Sequence, residues 1–78
     1  MKRAVIILTT GFEEIEAIAP MDILRRAGVE VEIVGVSATK ATGSHDITIS
    51  TDKELVSVMN NLYDIVILPG GMPGAKLL

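Results

Sequence analysis

Two stretches of this chain, Ala4-Val5-Ile6-Ile7-Leu8 and Ile65-Val66-Ile67-Leu68, are apolar at every position and rich in β-branched side chains. A strand with one wet face alternates apolar and polar residues; a strand covered on both faces has no polar position to offer. Both runs therefore predict central strands of a parallel sheet with layers packed on either side. The first ends at Thr9-Thr10-Gly11 and the second at Pro69-Gly70-Gly71, residues that stop a strand and open a turn. A third run over residues 29–36 alternates Val29, Val31 and Ile33 with Glu30 and Glu32, which predicts a strand with one wetter face or a sheet edge.

The intervening segments read as crossovers. Over residues 13–27, Ile15, Ile18, Ala19, Ile23, Leu24 and Ala27 recur at three- and four-residue steps, and Gly28 follows as a stop signal. This predicts an amphipathic helix with Arg25 and Arg26 at its negative end. Pro20 inside it has no N–H for the Glu16 carbonyl, so a kink or a late regular start is expected. Residues 37–44 are rich in Ser, Thr, Ala, Lys and Gly, and Ile47-Thr48-Ile49-Ser50 has period two, which together predict a short exposed hairpin or edge excursion. Thr51-Asp52-Lys53-Glu54 reads as a capping sequence, with Leu55, Val56, Val58, Met59 and Leu62 as a short helix after it. Residues 73–78 read as the first turn of another helix, with Pro73 at its first position. A chain that stops there is expected to be the N-terminal part, residues 1–78, of a single longer domain.

Three strands joined through helices imply right-handed crossovers. The simplest arrangement is strand order 2-1-3, with the two helices on opposite faces. The connections diverge next to the first strand, and the carboxyl ends of strands one and three open a crevice there. Residues 11–16 and 70–74 should meet in it.

Composition narrows the function classes. With 78 residues, 49% of them apolar, the chain has material for one small core. A net charge of −3 without a basic stripe gives no reason to expect nucleic acid or membrane as partners. No stretch approaches the roughly 18 apolar residues of a membrane span, and no small-residue cleavage site follows the first apolar run. A cytoplasmic location is expected. The absence of cysteine removes disulfides, thiolate metal sites and thiol nucleophiles from these residues. The only aromatics are Phe12 and Tyr63, too few for stacking platforms. His45 is the only histidine, which is read as excluding a histidine-based metal cluster within the chain, and no cofactor is expected.

Glu13, Glu14 and Glu16 lie where negative side chains gain from the helix dipole. Glu13 and Glu14 are read as a solvated helix start. Glu16 sits between Ile15 and Ala17 at a helix entry that the topology places in the crevice; desolvated there, its carboxyl would serve as proton donor or shuttle. Gly70-Gly71-Met72-Pro73-Gly74 follows a buried strand, so its amides either face an anion or oxyanion or simply make a tight strand-to-helix turn. It is neither G-x-G-x-x-G nor a phosphate loop. Ser44-His45-Asp46 has the atoms of a triad, but adjacent residues in extended chain cannot relay a proton, and a surface turn is expected. Arg25 and Arg26 are helix C-terminal charges. Asp22 is a surface residue or, if the helix packs on a partner, a contact near the crevice. A phospho-acceptor receiver domain needs an aspartate at the end of the third parallel strand, where this chain has Leu68-Pro69-Gly70.

Val5-Ile6-Ile7-Leu8, Gly11-Phe12-Glu13-Glu14-Ile15-Glu16, Pro20-Met21-Asp22-Ile23-Leu24-Arg25-Arg26-Ala27-Gly28 and Tyr63-Asp64-Ile65-Val66-Ile67-Leu68-Pro69-Gly70-Gly71 together resemble the ThiJ/PfpI superfamily, with the Parkinsonism-associated deglycase branch as the closest group. The resemblance covers essentially the whole chain. It implies a flavodoxin-like sandwich, a nucleophilic cysteine on a sharp turn and a histidine, both beyond Leu78. It also implies that Glu16 hydrogen-bonds that cysteine and that the Gly70 and Gly71 amides face the reacting oxygen. Family members are commonly homodimers packed through the first helix, which would put Asp22, Arg25 and Arg26 at the interface. The implied activities are removal of glyoxal-type adducts from proteins, cofactor-free glyoxalase chemistry on small aldehydes, chaperone or redox-sensing roles, and peptidase activity in the PfpI branch. Without the cysteine, these residues are expected to be inactive alone and to associate with the C-terminal part.

Overall fold

The computed structural model describes residues 2–36 and 39–70. Strand β1 (Arg3–Leu8) pairs in parallel with β2 (Glu30–Gly35) on one side and with β6 (Ile65–Ile67) on the other. The expected 2-1-3 order is thus present. A fragment of strand, β5 (Lys53–Glu54), adds to the far side of β2 and gives the order β5-β2-β1-β6.

β2 is therefore an inner strand. Asp52 closes its outer edge: its N–H donates to the Ile33 carbonyl at 2.7 Å, and its carboxylate accepts the Ile33 N–H at 2.8 Å. The acid at position 32 does not mark an open edge. Glu32 accepts from the Tyr63 hydroxyl and pairs with Lys53 at 3.2 Å and Arg3 at 3.9 Å, and the Arg3 guanidinium lies over the Tyr63 ring.

Helix α1 (Glu14–Arg26) follows β1 and runs through Pro20 from a regular start at Glu14. It ends in a Schellman-type closure in which Val29 N–H donates to Leu24 C=O and Gly28 N–H to Arg25 C=O, with Gly28 at φ +85°. Its phase differs from expectation. The buried stripe is Glu14, Ala17 and Met21, with Leu24 packed beside it, whereas Ile15 and Ile23 are 74% and 64% exposed and Ile18 is also exposed. The small Ala17 lets the helix approach the sheet closely, and that contact sets the rotation in place of the more numerous isoleucines.

The antiparallel hairpin of β3 (Lys40–Thr42) and β4 (Thr48–Ser50) forms as expected, as a separate two-stranded sheet. It buries Ala41 against the α1-side core. Gly11 N–H donates to Thr42 C=O and Ser44 N–H to Phe12 C=O, both at 2.9 Å, which fixes the hairpin to the loop entering α1.

The expected helix over residues 55–62 does not form. Only a 3-10 turn, Leu55–Ser57, is present; Val58 is buried, and Val56, Met59 and Leu62 are exposed. Two valines, a serine and two asparagines in eight residues are poor helix formers, and too few of the apolar positions find a surface to pack on. The supposed cap is used elsewhere, since Asp52 binds β2. The expected helical turn at residues 73–78 lies outside the described residues.

The crossovers lie on opposite faces of the sheet. Ala4, Ile6 and Leu8 of β1 face α1, Phe12 and the hairpin, while Val5 and Ile7 face Val34, Leu55, Val58 and Tyr63. Among the described residues, no helix is long and apolar enough to cross a membrane.

Candidate functional site

The carboxyl ends of β1 and β6 and the start of α1 come together as the strand order implies. Gly11 adopts φ +88° directly after β1 and turns the chain toward the helix. Glu13 caps that helix, its Oε1 accepting the Ile15 N–H at 3.0 Å. Gly70 is then held from both sides. Its carbonyl accepts the Glu13 N–H at 2.7 Å, and its N–H donates to Glu16 Oε1 at 2.8 Å. A side chain at position 70 would not fit beside that carboxylate, because a Cβ would lie 2.6 Å from Glu16 Oε1. Residues separated by 54 positions thus share one hydrogen bond at the predicted meeting point.

Glu16 is exposed within the described residues, so the desolvation considered from sequence is not supplied here. Among the described residues, Oε1 is engaged by Gly70 and Oε2 takes no hydrogen bond. Gly71 lies outside the described residues. Asp22, Arg25 and Arg26 sit at the other end of α1, roughly 9 to 15 Å along the axis from Glu16 at 1.5 Å per residue. Arg26 pairs with Asp22 at 3.0 Å on the surface, and Arg25 donates to the Val31 carbonyl at 3.0 Å. Asp22 is therefore exposed, about 9 Å along α1 from Glu16.

Glu14 overturns its sequence reading. It is 3% exposed, and it binds the hairpin turn instead of water. Its Oε2 accepts the backbone N–H of His45 at 2.7 Å and of Ile47 at 3.3 Å, and its Oε1 lies 2.9 Å from His45 Nδ1. Burial alone would raise this carboxyl's pKa. The hydrogen bonds from the His45 ring, from Glu14's own N–H and from the His45 and Ile47 amides outweigh it and hold the pKa at about 2. The approach needs Gly43, where a Cβ would lie 2.3 Å from the Glu14 carboxyl carbon. The signal that locates Glu14 in sequence is the correct helix phase: the Leu24, Met21, Ala17 stripe, extended back one turn, lands on it.

Ser44-His45-Asp46 is the exposed turn expected, with Asp46 at φ +67°. Ser44 Oγ lies 3.2 Å from His45 Nδ1. Despite the lone histidine, Glu13, Glu14 and His45 bring ligand-type atoms within 4.8 Å of one another. The Glu14 oxygens are already engaged by two amides and the imidazole, so the group is a hydrogen-bond cluster joining helix to hairpin.

A parallel sheet with an acid and a glycine turn paired at its switch point defines a flavodoxin-like α/β fold, of which this chain forms part. Residues 2–78 match the DJ-1/PfpI family, and the chain belongs to that family. Protein dj-1beta of Drosophila melanogaster is 40% identical over 78 residues, covering 99% of this chain and 42% of that protein. The Parkinson disease protein 7 homolog of Danio rerio is 39% identical over 79 residues, with the same coverage of each. Among solved structures, oxidized Toxoplasma gondii DJ-1 superposes with a TM-score of 0.95 at 36% identity, over 97% of this chain and 42% of that one. A Salmonella typhimurium DJ-1 superfamily protein, solved as a cysteine-to-alanine variant, gives a TM-score of 0.93 at 39% identity, over 96% of this chain and 41% of that one. The chain thus spans about 42% of the length of these curated relatives.

Proposed function

We propose that this chain is the N-terminal part of a cysteine-dependent hydrolase or lyase that acts on small α-oxoaldehydes or their protein adducts. The observation that carries the reading is the hydrogen bond between Glu16 and the Gly70 amide at the sheet's switch point. In this reading, Glu16 Oε2 meets a thiol supplied by polypeptide beyond these residues and moves the proton between that thiol and the substrate. The glycine turn, Gly70 with Gly71, provides backbone donors for the oxygen that gains charge. For the Gly70 amide to serve that oxygen, it has to turn from Glu16 or share its hydrogen between the two. These residues contain no cysteine and are inactive alone. No cofactor is required. The exposed Ile15, Ile18 and Ile23 on α1 support a homodimer packed through that helix, with Asp22, Arg25 and Arg26 at its margin. The same reading puts the protein in the cytoplasm.

In the full-length polypeptide, Glu16→Gln should lower methylglyoxal turnover by at least about 100-fold, the scale of a lost acid–base group. Unchanged turnover sinks the assignment. A redox-sensing role on the same fold is favoured by one observation, the oxidized state of the similar Toxoplasma gondii structure. It predicts reversible cysteine oxidation together with no aldehyde turnover.

A further inference from the structure

We propose that His45 and Glu14 form a protonation-controlled latch that sets how firmly the hairpin turn closes against the start of α1, beside the Glu16–Gly70 contact. The latch is independent of which reaction the crevice supports. It rests on two hydrogen-bond partners competing for one ring nitrogen. His45 Nδ1 lies 2.9 Å from Glu14 Oε1 and 3.2 Å from Ser44 Oγ. Protonated imidazole carries hydrogen on both nitrogens, so Nδ1–H donates to the carboxylate in a charge-assisted bond. Neutral imidazole carries one. On Nδ1 it still donates to Glu14 but without the charge; on Nε2, the Nδ1 lone pair would face a carboxylate oxygen and accepts the Ser44 hydroxyl instead. Deprotonation thus weakens the contact to Glu14, while the amides of His45 and Ile47 still hold the turn.

The charged groups acting on His45 both come from the start of α1. The hydrogen bond and then the charge of Glu14 raise its pKa, partial burial opposes this, and the charge of Glu13 adds a smaller upward push. Ser44 is the polar neighbour from its own turn. Glu14, with its pKa at about 2, stays ionised throughout the imidazole's range. The sign follows. A raised folded-state pKa gives the ring a contribution to closure that is complete below the ordinary imidazole value of about 6.5 and lost as pH rises through the folded value. The hairpin turn loosens on the alkaline side.

The test is an imidazole NMR titration of the polypeptide, the His45 signal being assigned by its loss in His45→Gln, together with amide hydrogen exchange corrected for intrinsic rates. His45 should titrate above the ordinary imidazole value. Protection of the His45 and Ile47 amides should fall several-fold as pH rises through the His45 midpoint found in the same titration. In His45→Gln, whose amide donates without titrating, the turn should stay protected and lose that pH dependence. Ser44→Ala, which removes the competitor that favours the neutral ring, should raise the His45 midpoint further. Gly43→Ala, which forces the Glu14 carboxyl aside, should bring the midpoint back toward the ordinary value. A His45 midpoint at or below that value, or an unchanged pH dependence of protection in His45→Gln, overturns the proposal.

Discussion

The two faces of the sheet are built from the same β1 residues in alternation, yet they are finished to different degrees. On the α1 side, Ile6, Leu8, Phe12 and Ala17 are all within 1% of complete burial, closed in by a 13-residue helix and the hairpin. On the other side, Val5, Val34 and Val58 are buried beneath a thin segment with a single 3-10 turn, beside an open cavity of about 250 Å³ lined in part by Ile7, Met59, Tyr63 and Val66. β6 is an edge strand among the described residues, with Val66 58% exposed. The difference shows that a uniformly apolar run records a capacity for burial on both faces. How much of it is used depends on what the crossover segments can cover.

Core truncation gives the largest expected difference between the faces. Phe12→Ala should destabilise the fold by about 3 to 5 kcal/mol, because a filled aromatic site cannot collapse around alanine. Val58→Ala should cost only about 1 to 2 kcal/mol, the transfer of two methyl groups beneath a thin cover that can adjust. Denaturant unfolding at matched slopes measures both. Equal losses would mean that the two faces are equally consolidated.

The sequence made the sheet order legible because strand identity rests on apolar runs that are short, β-branched and closed by turn residues, and because right-handed crossovers leave few arrangements. It also located Glu16 and Gly70, since both flank strands whose carboxyl ends the order brings together. Two features were misread for physical reasons. Helix phase followed the count of isoleucines, whereas packing followed the small Ala17, so Glu14 was assigned to solvent. The segment after Glu54 was assigned helical period without a surface to hold it. For β2, the wetter-face alternative holds and the edge alternative does not: Glu30 is exposed, and Glu32 is matched across the fold by Tyr63, Lys53 and Arg3, partners too distant in sequence for local pattern to reveal.

That polar network supplies an intermediate test on the thinner face. The Tyr63 hydroxyl is the main cause of Glu32's lowered pKa; burial opposes it, and Lys53 and Arg3 assist. Tyr63→Phe should cost about 1 kcal/mol, near the usual net value of one hydrogen bond, since the two cations still hold the carboxylate. The lowered pKa gives Glu32 a contribution that is complete above its unfolded value and lost as pH falls through the folded one. The variant should therefore show a shallower fall in stability below about pH 4.5. An unchanged acid limb would shift the stabilising role from the hydroxyl to Lys53 and Arg3.

The smallest effect is expected at Leu62, and its smallness is informative. Leu62 is 88% exposed, so Leu62→Gln removes almost no buried surface and should change stability by less than about 0.5 kcal/mol. An exposed leucine becomes costly to replace only when something covers it. Val56, Met59 and Val66 are exposed as well, and Met59 and Val66 line the cavity. A loss above about 1.5 kcal/mol, the scale for burying such a side chain, would mean that this face is covered in solution. Sedimentation at several concentrations would then separate a second copy from further polypeptide: a cost that disappears on dilution belongs to self-association, whereas one that persists belongs to a covering segment of the same molecule.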